Sequence, residues 1–134
     1  MLKITYTESG LYLERLAQTA AAFLSQRTAL NWQMECDCIV QRSYGAFLLS
    51  AHLPELEQLM SMSQQLNSSQ ISLSAGDCDV MEVSLQGYWL AEQSHSAEGI
   101  LVAELPVHLE ILLLRLWQIF QKQMRAKSAQ GRLG

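Results

Sequence analysis

Two short segments carry the side chains best suited to chemistry, Glu35-Cys36-Asp37-Cys38 and Asp77-Cys78-Asp79. Thiolates and carboxylates at this density suggest a metal site or a reactive thiol, and the test is which way each side chain points. Leu30, Trp32, Met34, Cys36, Cys38 and Val40 hold every even position of their stretch, while Asn31, Gln33, Glu35, Asp37 and Gln41 hold odd ones. Read as a strand over about 30–40, this period of two puts Cys36 and Cys38 on an apolar face with Trp32 and Met34, where burial leaves a thiol inert. Glu35 and Asp37 then point the other way and cannot join the thiols around one ion. Cys78 lies beside a turn and is the more accessible, but no histidine is placed near it. Asp77, Asp79 and Glu82 lack calcium-loop spacing. His52, His95 and His108 form no H-x-x-x-H or H-E-x-x-H pair, and neither phosphate-cradling glycine loops nor G-x-S-x-G occur. The reading assigns no catalytic residue, no cofactor and no metal, which points away from an enzyme. Trp32, Trp89 and Trp117 each fall on an apolar face and are expected in the core.

The elements that would position these residues follow from periodicity. Leu2, Ile4 and Tyr6 alternate with polar residues as in a half-buried strand. Ser9 reads as an N-cap for a helix to about Gln26, with Leu13, Leu16, Ala17, Ala20, Phe23 and Leu24 on its buried side. After the long strand, Ser43-Tyr44-Gly45 reads as a turn leading to a strand over Ala46–Ser50. Pro54 suits the first position of a helix to about residue 66, with Glu55 and Glu57 near the positive end of its dipole and Leu56, Leu59, Met60 and Leu66 buried. A break at Asn67-Ser68-Ser69 precedes strands at Ile71–Ala75 and about Cys78–Ala91. In the second of these the alternation slips between Val80 and Met81, suggesting a bulge, and Gly87 marks a bend or a close backbone approach. A polar loop at 92–98, a buried strand at 100–105 and a helix opened by Pro106 complete the order. Together they predict an α+β fold: a single, mainly antiparallel twisted sheet of about six strands packed against two or three helices.

The last helix, over 107–124, has two apolar sides. Leu109, Leu112, Leu113, Leu116, Trp117, Ile119, Phe120 and Met124 fill one broad arc that faces the core. Val107, Ile111 and Leu114, beside Arg115 and Gln118, form a second stripe. It is covered by a loop or the tail, left exposed, or used as a subunit contact. Val107, Ile111, Leu114, Arg115 and Gln118 are therefore the candidate interaction residues, and a homodimer through this helix or an edge strand is expected.

Composition agrees with a partner-binding role. Of the 134 residues 49% are hydrophobic and only 16% charged, low for a soluble domain, so much of the surface falls to Ser, Gln and apolar groups. The length fits one domain, over 1–126, with a basic tail at 127–134 expected to be disordered. The formal net charge of −4 is uneven: residues 35–110 hold eleven acids and one base, Arg42, whereas residues 115–134 hold five bases and no acid. The tail is either a solvated run or a contact for phosphate, acidic lipid or another copy's acidic body, through Arg125, Lys127 and Arg132. The acidic body argues against nucleic acid as the main partner. No export signal or stretch long enough to span a membrane is read, and three cysteines form no disulfide framework, so the expected setting is the cytoplasm.

The opening Met1-Leu-Lys-Ile-Thr-Tyr-Thr-Glu-Ser-Gly-Leu-Tyr-Leu-Glu-Arg-Leu, the Ala46-Phe-Leu-Leu run leading to Leu53-Pro54, and Met81-Glu-Val-Ser-Leu-Gln-Gly together resemble a family of small uncharacterised cyanobacterial proteins over most of the chain. That resemblance implies a bacterial cytoplasmic setting and no catalytic motif. By topology alone the chain also looks like a type III secretion chaperone, a dimer that holds clients on apolar grooves, although the additional first strand and the long Cys78–Ala91 strand depart from that pattern. The reading is a non-enzymatic interaction or chaperone-like accessory protein acting as a homo-oligomer. The alternative is a small-ligand or sensor domain with a pocket between the sheet and the C-terminal helix.

Overall fold

The computed structural model describes residues 1–65, 70–93 and 95–133, with side chains as far as residue 126. The elements run β1 (Leu2–Thr7), β2 (Gly10–Arg15), α1 (Ala20–Gln33), β3 (Ile39–Ser50), α2 (Leu56–Gln65), β4 (Ile71–Ala75), β5 (Val80–Ala91), β6 (Gly99–Ala103) and α3 (Val107–Leu133). This is an α+β fold with one six-stranded antiparallel sheet and three helices.

Its first departure from expectation is at Ser9. Thr7 pairs with Gly10, so Glu8 and Ser9 form a tight turn, and residues 10–15 return as a strand. Gly10, at φ +138°, supplies a conformation that residues with a Cβ rarely adopt. Leu13 goes inward while Tyr12 and Glu14 face solvent, a short period-two signal inside what also reads as a helical pattern. The helix begins instead at Ala20, where the Thr19 hydroxyl accepts from the Ala22 N–H at 3.1 Å and the Glu104 carboxylate accepts from the Ala20 N–H at 2.7 Å. Both satisfy donors that a helix start leaves open.

α1 also overturns the long strand at 30–40. It continues to Gln33 and stops in a Schellman motif: the Glu35 N–H donates to the Trp32 carbonyl and the Cys36 N–H to the Asn31 carbonyl. Glu35 takes the left-handed position at φ +55°, usually held by glycine, which is why the stop leaves no mark in the sequence. The even-position residues therefore do not share a buried face.

β3 and β5 pair continuously from Ile39↔Ala91 to Ser50↔Val80, with neither a turn at 43–45 nor a bulge at 80–81. Gly45 lies within β3 opposite Leu85, and glycine suits the position because the space for a Cβ is taken by the Leu101 side chain and the Tyr6 hydroxyl. Since β3 occupies one edge of β5 along its whole length, β4 (Ile71↔Leu85 to Ala75↔Met81) and β6 (Tyr88↔Val102 to Leu90↔Ile100) divide the other edge. At Gly87, between those two segments, a Cβ would fall 2.2 Å from the Val102 carbonyl oxygen; the close approach expected there is present. The path β2-β1-β6-β5-β3 ends on β2 and β3, and the short β4, which pairs with β5 alone among the described strands, is a third edge.

One face of the sheet presents Leu2, Ile4, Leu13, Phe47, Leu49, Val83, Leu85 and Leu101 to α2 and to Leu109, Leu112, Leu113 and Leu116 of α3. Each such side chain taken from water contributes about 1.5–3 kcal/mol. α3 packs on both β2 and β3, so it spans the sheet from one end of that path to the other. On the opposite face a smaller core joins Met1, Leu90 and Val102 to Ala20 and Phe23 of α1. α2 starts after Pro54 and Glu55, with Leu56 and Leu59 buried as expected but Met60 exposed. Leu66 and the Asn67–Ser69 break lie outside the described residues. α3 runs past the expected end at residue 124, and the expectation of a disordered tail at 127–134 concerns side chains outside the described residues. Among the described residues no helix is long and apolar enough to cross a membrane.

Candidate interaction surfaces and cleft

Cys36 and Cys38 lie elsewhere than the strand reading placed them, whereas Cys78 lies in a turn and is exposed as expected. Cys36 is exposed in the turn after α1, Cys38 is half-buried and Cys78 is exposed at φ +58°; all three are free. Among the described residues no three His, Cys, Asp or Glu side chains converge as a metal would need. His52 Nε2 stands 3.4 Å from the Asp79 carboxylate in an exposed pair. Trp89 is partly buried and meets Tyr6 edge-on with ring centroids 5.6 Å apart. Trp32, expected in the core, is 84% exposed on the last turn of α1.

Of the second stripe on α3, Val107, Ile111 and Gln118 are exposed. Leu114 is half-buried against the main core, and Arg115 is held by the Glu55 carboxylate at 3.2 Å. Glu55, just before α2, thus engages Arg115, while Val107, Ile111 and Gln118 stay open. At the sheet–α3 interface Leu109, Leu112, Leu113 and Leu116 of α3 belong to the same buried cluster as the inner face of the sheet.

A surface that periodicity did not reveal lies along β3. α1 covers only part of the outer face, over Leu90 and Val102, and the rest of that face carries Val40, Arg42, Tyr44, Ala46 and Leu48, all exposed, with Tyr44 66% so. The strand is 12 residues long and, among the described residues, has no β-strand partner on its outer edge. Of the devices that blunt an edge, it contains no proline and no bulge, and one charge, Arg42, which lies over the Tyr88 ring at 5.9 Å. The reading of Ser43-Tyr44-Gly45 as a turn hid this surface.

Two further features emerge only in three dimensions. The Glu110 carboxylate, 2% exposed, accepts from Arg15 Nε at 3.1 Å and from the Leu105 N–H at 3.3 Å, and lies 3.5 Å from the Met1 ammonium. The second is a cleft of about 420 Å³ between α1, the end of β1 and the loop at 92–98. Arg27 and Asn31 line its helical side, Glu92 and Glu98 belong to its loop side, and Leu90 and Ile100 contribute apolar surface. Arg27 packs over the Phe23 ring, 5.7 Å from its centroid. Tyr6, also in the lining, donates its hydroxyl to the Ala46 carbonyl at 3.2 Å, and burial pushes its pKa up against the opposing effect of that bond.

No curated protein and no solved structure matches the chain. The Alr0857-like family matches residues 1–121, which take in every strand and all three helices except the end of α3. Over that span the chain belongs to the Alr0857-like family.

Proposed function

We propose that this protein is a non-enzymatic, cytoplasmic interaction protein that works as a homo-oligomer, with two copies joined edge to edge at β3. The observation that carries the reading is the long unpaired edge beside a row of exposed apolar side chains. An open edge presents unmet N–H and C=O groups, and pairing with another strand satisfies them.

A second copy fits this edge because the outward row is self-complementary. Antiparallel pairing centred on Tyr44 sets Val40 opposite Leu48 of the second copy, Tyr44 opposite Tyr44, and Arg42 opposite Ala46, so no like charges meet. Pairing centred on Arg42 would oppose two guanidinium groups and is disfavoured. The exposed end of the α3 stripe, Val107 and Ile111, remains open for a protein partner. Free and exposed Cys36 and Cys78 suit a reducing compartment.

The test is the mass of the full chain in solution at tens of micromolar, by light scattering or sedimentation. A dimer is expected for the native protein, and Tyr44→Lys with Leu48→Lys is expected to give a monomer whose circular dichroism is unchanged. A native protein that is monomeric throughout, or a dimer indifferent to both lysines, would overturn the edge-strand reading. If Ile111→Asp instead breaks the dimer, the contact lies on α3.

A further inference from the structure

We propose that the cleft between α1 and the loop at 92–98 binds a small zwitterion, an α-amino acid or a dipeptide. The inference is independent of the association reading, since none of the lining residues lies in β3. At about 420 Å³ the cleft lies in the range of small-molecule sites. Its polar groups are divided by charge between its walls. On α1, the Arg27 guanidinium rests over the Phe23 ring and has no carboxylate within 4.0 Å among the described residues. Its donors are free to take a carboxylate in the two-pronged geometry that guanidinium favours. Asn31, one turn on, adds an amide from the same wall.

The loop wall carries the opposite sign in Glu92 and Glu98. Glu98 is fixed at two points: its Oε1 accepts from the Glu8 N–H at 3.2 Å, and its own N–H donates to the Ser96 hydroxyl at 3.1 Å. A carboxylate held this way keeps acceptor capacity for an ammonium group. A simple anion in this space meets two carboxylates and a simple cation meets Arg27, whereas a molecule carrying both charges is matched at each end. Leu90, Ile100 and the half-buried Cys38 supply apolar surface for a side chain.

Titration calorimetry of the full chain against the twenty common L-amino acids and dialanine tests this. Saturable binding of at least one is expected, weakened about tenfold or more when either end is blocked, as the N-acetyl or amide form, because each blocked end removes a charge-assisted bond. Arg27→Gln and Glu98→Gln are each expected to give a similar loss, with thermal melting to show that they fold; Arg27→Lys, which keeps the charge and loses the fork, should fall between native and Arg27→Gln. No saturation with any of the panel, equal binding of blocked and free forms, or full affinity in a folded Arg27→Gln variant would overturn the proposal.

Discussion

Removing the Glu110 carboxylate should cost this protein more stability than removing any exposed ion-pair partner. The group is 2% exposed and faces Arg15 Nε at 3.1 Å, the Leu105 N–H at 3.3 Å and the Met1 ammonium at 3.5 Å. In Glu110→Ala these donors lose their acceptor in a place closed to water. Breaking one half of a buried pair costs about 3–5 kcal/mol. Because the Arg15 side chain is 30% exposed, it can partly rehydrate, and about 2–3 kcal/mol is the reasoned cost. For a domain of 134 residues that lowers Tm by about 6–12 °C. The Lys3–Glu14 pair, at 3.1 Å but with Glu14 54% exposed, is the internal control, and Glu14→Ala should cost under about 1 kcal/mol. Urea unfolding followed by circular dichroism measures both. Replacing Arg15 and Glu110 together by Met and Leu should recover only the part of the loss that comes from Arg15, since the Met1 ammonium, 0% exposed, and the Leu105 N–H still lack their acceptor. A Glu110→Ala variant within about 0.5 kcal/mol of native, or one that the double replacement does not rescue even in part, would refute this account.

Glu35→Gly should stabilise the fold by up to about 1 kcal/mol, because φ +55° costs a residue with a Cβ and not a glycine; urea midpoints read it. Gly87→Ala should destabilise by about 2–3 kcal/mol, since its Cβ would lie 2.2 Å from the Val102 carbonyl oxygen and force β5 and β6 apart. A Gly87→Ala variant with native Tm would mean the two strands can separate at no cost. Tyr6 has its folded-state pKa raised above 10.0, so the neutral form is favoured in the native state. The stability this confers is present below the unfolded pKa and is lost as pH rises through the folded value. Melting from pH 9 to 11.5 should show a steeper alkaline fall for the native protein than for Tyr6→Phe, with Tyr6→Phe about 1 kcal/mol less stable at neutral pH through loss of the bond to the Ala46 carbonyl.

Much of the architecture follows from local pattern. Alternation at Leu2, Ile4 and Tyr6 produces β1, the leucines of α2 and α3 at helical spacing mark their buried faces, and Gly87 announces a close approach that the structure contains. The class of fold was legible for the same reason, since one buried face writes its period into the sequence, whereas the count of six strands agreed only because the strand expected at 30–40 offset the missed β2. The same logic failed between Ser9 and Gly45, where two periods compete. Leu11-Tyr12-Leu13 is short enough to fit either, and the even-position row from Leu30 to Val40 alternates by composition while its chain is helix, turn and then strand. A helix stop built on Glu35 carries no glycine to read, and Gly45 resembles a turn although it lies in a strand, where neighbouring side chains leave no room for a Cβ.

Surfaces are decided later still. Whether Leu114 is open depends on how α3 lies against the main core, and whether Tyr44 and Leu48 are open depends on how far α1 reaches across the sheet. The Arg15–Glu110 contact spans 95 positions and the cleft gathers residues from β1, α1 and the loop before β6. By itself the sequence determined the periods, hence the elements with one dominant face and the class of fold. Tertiary structure alone decided which edge stays unpaired, which charge is buried and which polar groups meet, because those depend on distances between segments that no local period encodes.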